Sequence, residues 1–203
     1  MIDSILEPNE FEGRVCIVTG ATRGIGAAIA HQLAGRGGHI VVTDIDLEGA
    51  EARAHVLRDA GWLATARYCD VSDPIAVNGL FDDVAEIGLP RVLVNNAGIA
   101  TISSTIELGD ADWRRQVDIM LTGTFLCTRA AARSMLAAEG GAIVNLSSRG
   151  GFAGHPGRSA YTPPKQGSPA SHKYIGVEWA AHGVRVNAVG PAVTRSLPKP
   201  PDT

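Results

Sequence analysis

The sequence has no long apolar run and little cysteine, and each shortage excludes a class of protein. No uninterrupted apolar segment has the length that a membrane-spanning helix needs. The start, MIDSILEPNEFEGR, is acidic and lacks the basic and apolar regions of a secretion signal. Cys16, Cys69 and Cys127 lie apart among apolar neighbours, which favours reduced, packed thiols over a disulfide or a metal site. These features predict a cytoplasmic protein with no membrane partner.

Charged residues are also few. They make up 19% of the chain, the formal net charge is −3, and no basic stripe is present, so nucleic acid is not an expected partner. The six histidines lack the spacing of metal ligands, and we expect no metal site. Hydrophobic residues, 45% of the total, are spread evenly, which predicts a single domain over residues 1–203. The expected partners are small molecules or further copies of the chain.

Short apolar runs alternate along the chain with longer segments of helical period. Strands are predicted at 14–20, 39–46, 63–69, 91–96, 141–148 and 184–191. Helices are predicted at about 24–37, 47–60, 73–87, 110–138 and 170–183. Such alternation requires crossover connections between parallel strands. The pattern predicts an α/β fold with a doubly wound parallel sheet, helices on both faces, and ligands bound beyond the carboxyl ends of the strands.

A glycine-rich turn, TGATRGIG, directly follows the first predicted strand and contains Gly20, Gly24 and Gly26. Glycine lets a backbone turn tightly and approach a pyrophosphate, and the following helix presents free N–H groups to the anion. The alternative is a turn that merely permits close packing of strand and helix. Its position between a strand and a helix, with Asp44 ending the next strand about twenty residues later, favours a dinucleotide site.

Asp44 also indicates which of the two dinucleotides, NAD or NADP, is the cofactor. A carboxylate at this position accepts hydrogen bonds from both ribose hydroxyls of NAD, whereas it would repel the 2′-phosphate of NADP. Arg23 argues weakly for NADP, because a guanidinium can pair with a phosphate, although it is equally able to face solvent or the pyrophosphate. The residues together favour NAD.

The chain resembles the short-chain dehydrogenase/reductase family from Glu12 to about Ser196. The resemblance is carried by TGATRGIG, by CDV and by NNAG, each at the end of a different predicted strand. It implies that these three motifs bind the dinucleotide together with Tyr161, Lys165 and Ser196, which lie nearer the end of the chain. The implied cofactor-binding residues are Gly20, Arg23, Gly24, Ile25, Gly26, Asp44, Asp70, Val71, Asn96, Ala97, Gly98, Tyr161, Lys165 and Ser196.

The family's active site is a serine, a tyrosine thirteen residues later and a lysine four residues after that, and Ser148, Tyr161 and Lys165 match this spacing. The resemblance implies that Tyr161 is the acid or base for the substrate oxygen, which requires a nearby positive charge to stabilise the phenolate. Lys165 would supply that charge and hold the nicotinamide ribose. Ser148 would bind and position the substrate oxygen.

The residue before LTGTF departs from the family. The family usually has asparagine there, which bends its helix and holds a water that links the lysine to solvent as a proton relay. Met120 has neither a strong donor nor a strong acceptor. The departure puts the relay in doubt.

The prolines of AYTPPKQGSP are a second departure. A proline is tolerated in the first turn of a helix but costs about 3 kcal/mol or more in its body. If the helix begins near Thr162, Pro163 and Pro164 fall in its first turn; if it begins near Ser159, Pro164 distorts it, and Pro169 is interior in both cases. The resemblance favours the second placement, with a local kink.

The third departure concerns the end of the chain. The family continues beyond the position of Ser196, which aligns with its nicotinamide-contacting threonine, through a lid over the substrate, a last helix and a seventh strand. The resemblance therefore implies that residues 1–203 are C-terminally incomplete and lack the last strand of the sheet. In the family that strand usually lies in a subunit interface, and we expect a homo-oligomer, a dimer or a tetramer.

The combined reading is an oxidoreductase that transfers a hydride between NAD(H) and a secondary alcohol or ketone. The alternative is a dinucleotide-binding protein without turnover, for which Met120, the prolines and the missing lid are the evidence. The expected substrate wall comprises residues 99–103 and 150–155, and it carries no charge pattern that identifies the substrate. A polyol or sugar, a hydroxysteroid and a keto-ester all remain possible substrates.

Overall fold

A computed structural model describes residues 9–151, 155–192 and 194 of the chain. Its centre is a sheet of parallel strands in the order β3-β2-β1-β4-β5-β6. This order confirms the doubly wound fold, because it reverses direction between β1 and β4 and so leaves a cleft at their carboxyl ends. The strands are β1 (Val15–Thr19), β2 (His39–Asp44), β3 (Ala64–Tyr68), β4 (Pro90–Asn95), β5 (Gly141–Leu146) and β6 (Val184–Val189).

Helices cover both faces of the sheet. They are α1 (Gly24–Ala34), α2 (Leu47–Asp59), α3 (Pro74–Ile87), α4 (Asp110–Val117), α5 (Gly123–Ala137) and α6 (Thr162–Trp179). Two of the starts have side-chain caps: the Asp46 carboxylate accepts from the Gly49 N–H at 3.0 Å, and the Asp73 carboxylate accepts from the Ile75 N–H at 2.9 Å. Each cap satisfies a backbone donor that has no partner within its own helix.

Each face of the sheet contributes to a separate apolar core. Ile17, Leu93 and Ile143 are fully buried beneath α3 and α5, whereas Val18 and Val42 are fully buried beneath α1 and α2. Successive residues of β1 therefore point into opposite cores, as a strand buried on both faces requires. This burial explains why the strands are near-continuous apolar runs in the sequence.

The helix predicted at 110–138 is interrupted. Between α4 and α5 the backbone forms a π-helical turn over Asp118–Thr122, with Met120 buried at its centre. The Thr124 hydroxyl donates to the Met120 carbonyl oxygen at 2.8 Å. A π-helical turn aims a side chain away from the regular helical register. The helix thus deviates here although the residue that bends it in the family is replaced.

The start of α6 settles the placement of the prolines. The helix begins at Thr162, so Pro163 and Pro164 lie in its first turn, where their missing N–H groups need no partner. The start near Ser159 that the resemblance favoured is wrong, because Ser159 and Ala160 belong to a turn. The helical period of the sequence predicts a start at residue 170, which is too late, because α6 already includes position 169.

Cys16, Cys69 and Cys127 are buried free thiols, in agreement with the sequence prediction. Burial raises the pKa of Cys16 and of Cys69 to about 12, so both thiols stay protonated. Over the ranges that the structure describes, no helix is long and apolar enough to cross a membrane. The same ranges contain no group of histidine, cysteine and acidic side chains arranged to hold a metal.

Candidate active site

A cavity of about 710 Å³ opens at the carboxyl ends of the strands, where the sheet order reverses. Nine of the predicted cofactor-binding residues line it: Gly20, Arg23, Ile25, Asp44, Asp70, Val71, Asn96, Ala97 and Gly98. Ile99, predicted as part of the substrate wall, also lines it, and sequence reasoning missed Thr22, Ile45, Asp46, Cys69, Arg115, Ile119 and Thr194. The motifs from three separate strands thus converge on one cleft.

The glycine turn has the shape that the sequence predicts. Gly20 has a φ of 64°, and a Cβ there would lie 2.9 Å from Ala97 Cα. A Cβ at Gly26 would lie 2.5 Å from Asn96 Nδ2 and closer still to the Gly20 carbonyl oxygen. The N-cap residue of α1, Arg23, makes no side-chain hydrogen bond to the first turn. The helix start therefore offers free N–H groups beside a backbone that an anion can approach closely.

Thr19 and Asn96 join the glycine turn to the NNAG motif. The Asn96 amide donates to the carbonyl oxygens of Thr19 and Gly20 at 2.9 and 2.8 Å. The Thr19 hydroxyl accepts from the N–H groups of Asn96 and Ala97 at 3.0 and 3.1 Å. Asn96 thus shapes the cavity as well as lining it. Thr19 has a site role that the sequence did not reveal, because its partners lie more than seventy residues away.

Asp44 ends β2 and lies in the cavity wall, as predicted. Its Oδ2 accepts from the Thr22 N–H at 3.3 Å and from the Thr22 hydroxyl, and its Oδ1 accepts from the Asp46 N–H at 3.3 Å. These donors hold the carboxylate in one orientation at the rim of the cleft.

Asp70 and Val71 follow β3 and form another part of the wall. Asp70 Oδ1 accepts from the N–H and the hydroxyl of Ser72 at 2.9 and 2.6 Å, which fixes the turn. Val71 packs beneath α5, where a Cβ at Gly123 would lie 2.9 Å from Val71 Cγ2. Both residues therefore occupy the positions that the resemblance implies.

Lys165 and Ser148 are each held near the carboxyl end of β5. Lys165 is buried, its Nζ donates to the Leu146 carbonyl oxygen at 2.6 Å, and the Ser147 hydroxyl donates to the Lys165 carbonyl oxygen at 2.6 Å. Ser148 is the next residue, and its hydroxyl accepts from the Gly150 N–H at 3.1 Å. Burial lowers the pKa of Lys165 to about 8. The deeply buried Lys165 ammonium is thus bonded to the backbone two residues before the predicted catalytic serine.

Tyr161 lies immediately before α6, one helical turn ahead of Lys165. Its ring is half-buried, and the Arg158 guanidinium carbon lies 5.3 Å from the ring centroid. Over the described residues its hydroxyl makes no hydrogen bond, including none to Ser148 or Lys165. Hydrogen bonds between catalytic groups often form only in the complex with substrate. The structure therefore places Lys165 and Ser148 near the end of β5 and Tyr161 one turn before Lys165, and over the described residues no hydrogen bond joins any two of the three.

The residues after NNAG are held from two sides. The Thr101 N–H donates to the fully buried Gln116 side chain at 3.3 Å, and the Ser103 N–H donates to the Gly157 carbonyl oxygen at 3.1 Å. This loop is the first part of the predicted substrate wall. In the second part, residues 152–154 lie outside the described residues, and so does Ser196.

Comparisons with known proteins agree with this arrangement. The family model for short chain dehydrogenases matches residues 14–198. A cis-4-hydroxycyclohexanecarboxylate dehydrogenase of Sinomonas cyclohexanicum is 47% identical over 183 residues, 89% of this chain and 73% of that protein. A D-threitol dehydrogenase of Mycolicibacterium smegmatis is 41% identical over 183 residues, 90% of this chain and 70% of that protein.

A solved structure is similar throughout the fold. The crystal structure of a metagenomic short-chain oxidoreductase in complex with NADP is 36% identical, has a TM-score of 0.86, and covers 91% of this chain and 85% of its own. A family match over most of the residues, close relatives that are dehydrogenases and a shared fold all agree. The chain belongs to the short-chain dehydrogenase/reductase family and is a hydride-transfer oxidoreductase.

Proposed function

We propose that the protein uses NAD(H) to interconvert a secondary alcohol and a ketone. The observation that carries the cofactor preference is the fixed carboxylate of Asp44 at the cavity rim. Because Asp46 also lines the cavity, a 2′-phosphate at this place would meet two carboxylates, opposed by the guanidinium of Arg23. Like charges repel most strongly where water is partly excluded. This charge balance supports NAD, although the metagenomic relative was crystallised with NADP.

The cavity fits a dinucleotide on the chain's own geometry. Gly20, Arg23 and Ile25 line the cavity at the glycine turn, so the start of α1 supplies the N–H groups that a pyrophosphate would contact. Val71, Ala97 and Ile119 supply apolar surface to the same cavity. NAD, when bound, supplies a nicotinamide ring that accepts or returns a hydride.

In the proposed mechanism, Tyr161 takes the alcohol proton during oxidation and returns it during reduction. A phenol is a weak base at neutral pH unless a nearby positive charge stabilises its anion, and the Lys165 ammonium supplies that charge. Ser148 binds the substrate oxygen and fixes its distance from Tyr161. The support for these roles is the Lys165 Nζ bonded at the end of β5, two residues before Ser148, with Tyr161 one turn before Lys165.

The test combines nucleotide binding with turnover. Fluorescence titration with NADH and NADPH gives both affinities, and oxidation is followed over a panel of hydroxycyclohexanecarboxylates, four-carbon polyols and hydroxysteroids. We expect tighter binding of NADH and turnover of at least one class. Tyr161→Phe is expected to lower turnover by about a thousandfold and to leave NADH affinity unchanged. Tyr174→Phe, at an exposed tyrosine on α6, is the matched control. Equal activity in the Tyr161→Phe variant would overturn the catalytic role.

The second candidate is a dinucleotide-binding protein without turnover. Met120 favours it, because this buried side chain offers neither a strong donor nor a strong acceptor where the family has asparagine. The same titration and alcohol panel separate the two functions: tight NADH binding without oxidation or reduction of any panel member supports the second.

We also propose that the protein forms a homo-oligomer in the cytoplasm. Trp113, Phe125, Tyr174 and Val177 are large apolar side chains exposed on α4, α5 and α6, which supports an interface between copies. The buried free thiols support a reducing compartment. Light scattering after size exclusion is expected to give a mass of two or four chains, and a single-chain mass would contradict the assembly. Cell fractionation tests the compartment.

A further inference from the structure

Arg53 is a buried cation behind the nucleotide cavity. It lies on α2 with 9% of its surface exposed, and its Nε donates to the Thr22 carbonyl oxygen at 3.2 Å. Burial lowers its pKa from the ordinary value, yet an arginine remains charged at physiological pH. Burying a guanidinium is costly unless it makes good hydrogen bonds. One of those bonds holds the glycine-rich turn of the cavity.

Thr22 connects this bond to the cofactor-selecting carboxylate. Its N–H and hydroxyl both donate to Asp44 Oδ2, and its carbonyl oxygen accepts from Arg53. Its methyl group packs on α2 so closely that a Cβ at Gly49 would lie 2.5 Å from it. Thr22 is therefore held by β2 on one side and by α2 on the other.

We propose that Arg53 is a positioning residue that sets the preference for NAD over NADP by holding Thr22 against Asp44. The inference rests on the proposed function and extends it to a residue outside the cavity lining. The Thr22 donors keep Asp44 Oδ2 at the rim of the cavity, where it faces the adenosine ribose and repels a 2′-phosphate. When Thr22 is released, the carboxylate gains freedom to turn away, and the discrimination against the phosphate decreases.

Arg53→Met is the principal test, because methionine keeps an apolar stem of similar length and removes the donor. Arg58→Met is the matched control: Arg58 lies on the same helix, pairs with Glu51 and donates to the Ala64 carbonyl oxygen, away from the cavity. The readout is the ratio of the NADPH and NADH dissociation constants, measured by fluorescence titration. We expect Arg53→Met to lower this ratio about tenfold, the effect of losing one charged hydrogen bond.

Arg53→Lys tests the physical cause. Lysine keeps a cationic donor that reaches a backbone carbonyl, so we expect the ratio to stay within about threefold of the unmodified protein. Arg58→Met is expected to leave the ratio unchanged. A simple loss of stability would weaken the binding of both nucleotides alike and would not change the ratio.

An unchanged ratio in Arg53→Met overturns the inference while leaving the proposed function intact. If Arg53→Met does not fold, Arg53→Leu replaces it, since leucine also has no donor for the Thr22 carbonyl oxygen, and an unchanged ratio there is equally decisive. If the unmodified protein binds neither nucleotide, the proposed function itself fails. Tighter binding of NADPH than of NADH by the unmodified protein overturns the NAD preference and this inference together.

Discussion

The nucleotide end of the cleft, at the carboxyl ends of β1 and β2, and the catalytic end, between β5 and the start of α6, are stabilised differently. At the nucleotide end, Thr19, Thr22 and Asn96 bond to the backbone or carboxylates of distant segments. At the catalytic end, Ser147 and Lys165 make the principal links between β5 and α6. In the proposed function, nucleotide binding thus depends on backbone shape, whereas the chemistry depends on one buried cation. We therefore expect that single substitutions can impair nucleotide binding and catalysis separately.

The largest effect on nucleotide binding is expected from breaking the shape of the nucleotide end. Gly26→Ala places a methyl group against the Asn96 amide and the Gly20 carbonyl, so the turn must move. We expect NADH affinity to fall by about tenfold to a hundredfold, as overpacking by 1–3 kcal/mol implies. Gly79→Ala is the matched control on α3, where an added Cβ meets nothing within 4 Å. It should stabilise the fold by about 0.5–1 kcal/mol. Wild-type affinity in Gly26→Ala would refute the steric argument.

Lys165→Met isolates the buried cation of the catalytic end. We expect turnover to disappear and stability at pH 7 to rise by about 1–3 kcal/mol, because a desolvated charge is removed. The pKa of Lys165 is about 8 in the folded protein against an ordinary value of 10.5. Between these values the folded state has released a proton that the unfolded state retains, so wild-type stability rises with pH.

The stability gain of Lys165→Met should therefore shrink between about pH 8 and pH 10.5. Urea unfolding at several pH values measures the gain. Lys173→Met, at an exposed lysine on the same helix, should show no such pH dependence. A gain that stays constant from pH 7 to pH 10.5 would contradict the lowered pKa.

Pro169→Ala is expected to stabilise only the catalytic end of the cleft, and it therefore tests whether the two ends respond independently. A proline within the body of a helix lacks a backbone donor, and α6 continues through position 169. We expect a stability increase of about 1–3 kcal/mol, with NADH affinity unchanged. Pro163→Ala is the control in the first turn, where the missing donor costs nothing, and should change stability by less than about 1 kcal/mol. Equal effects of the two changes would place the helix start elsewhere.

The smallest effect is expected at the loop between the two ends. Gln116→Met removes the acceptor of the Thr101 N–H, which loosens the substrate wall without touching the glycine turn. We expect KM for the alcohol to rise about threefold to tenfold, with the dissociation constant of NADH unchanged. Gln32→Met, at an exposed glutamine on α1 that bonds Arg36, is the control. A change in NADH affinity alone would show that the loop serves the nucleotide instead.

Local pattern was sufficient to predict the sheet, the glycine turn and the place of Asp44. Strands buried on both faces must be apolar throughout, and a turn without room for Cβ atoms must contain glycine, so both constraints are visible in neighbouring residues. The family resemblance then assigned Asn96 and Lys165, because their motifs have fixed spacing.

The sequence alone could not predict the contacts of Thr22, Arg53 and Gln116. Each depends on a side chain reaching the backbone of a segment that only the tertiary fold brings near. The start of α6 was misplaced for a related reason: the sequence allowed two starts, and hydrogen bonds of the preceding turn decide between them. The Tyr161 and Thr162 N–H groups both donate to the Arg158 carbonyl oxygen, which ends the turn just before the prolines.

The buried hydroxyl of Thr19 bonds across the carboxyl ends of β1 and β4, where the sheet order reverses. It accepts from two backbone N–H groups of the NNAG motif and donates to the Val94 carbonyl oxygen at 3.4 Å. Separating β1 from β4 at this point would break all three of these hydrogen bonds. Because these bonds join β1 to β4 and to the NNAG motif, we expect little movement between the two strands here. Any movement that accommodates a ligand is expected at the rims of the cleft.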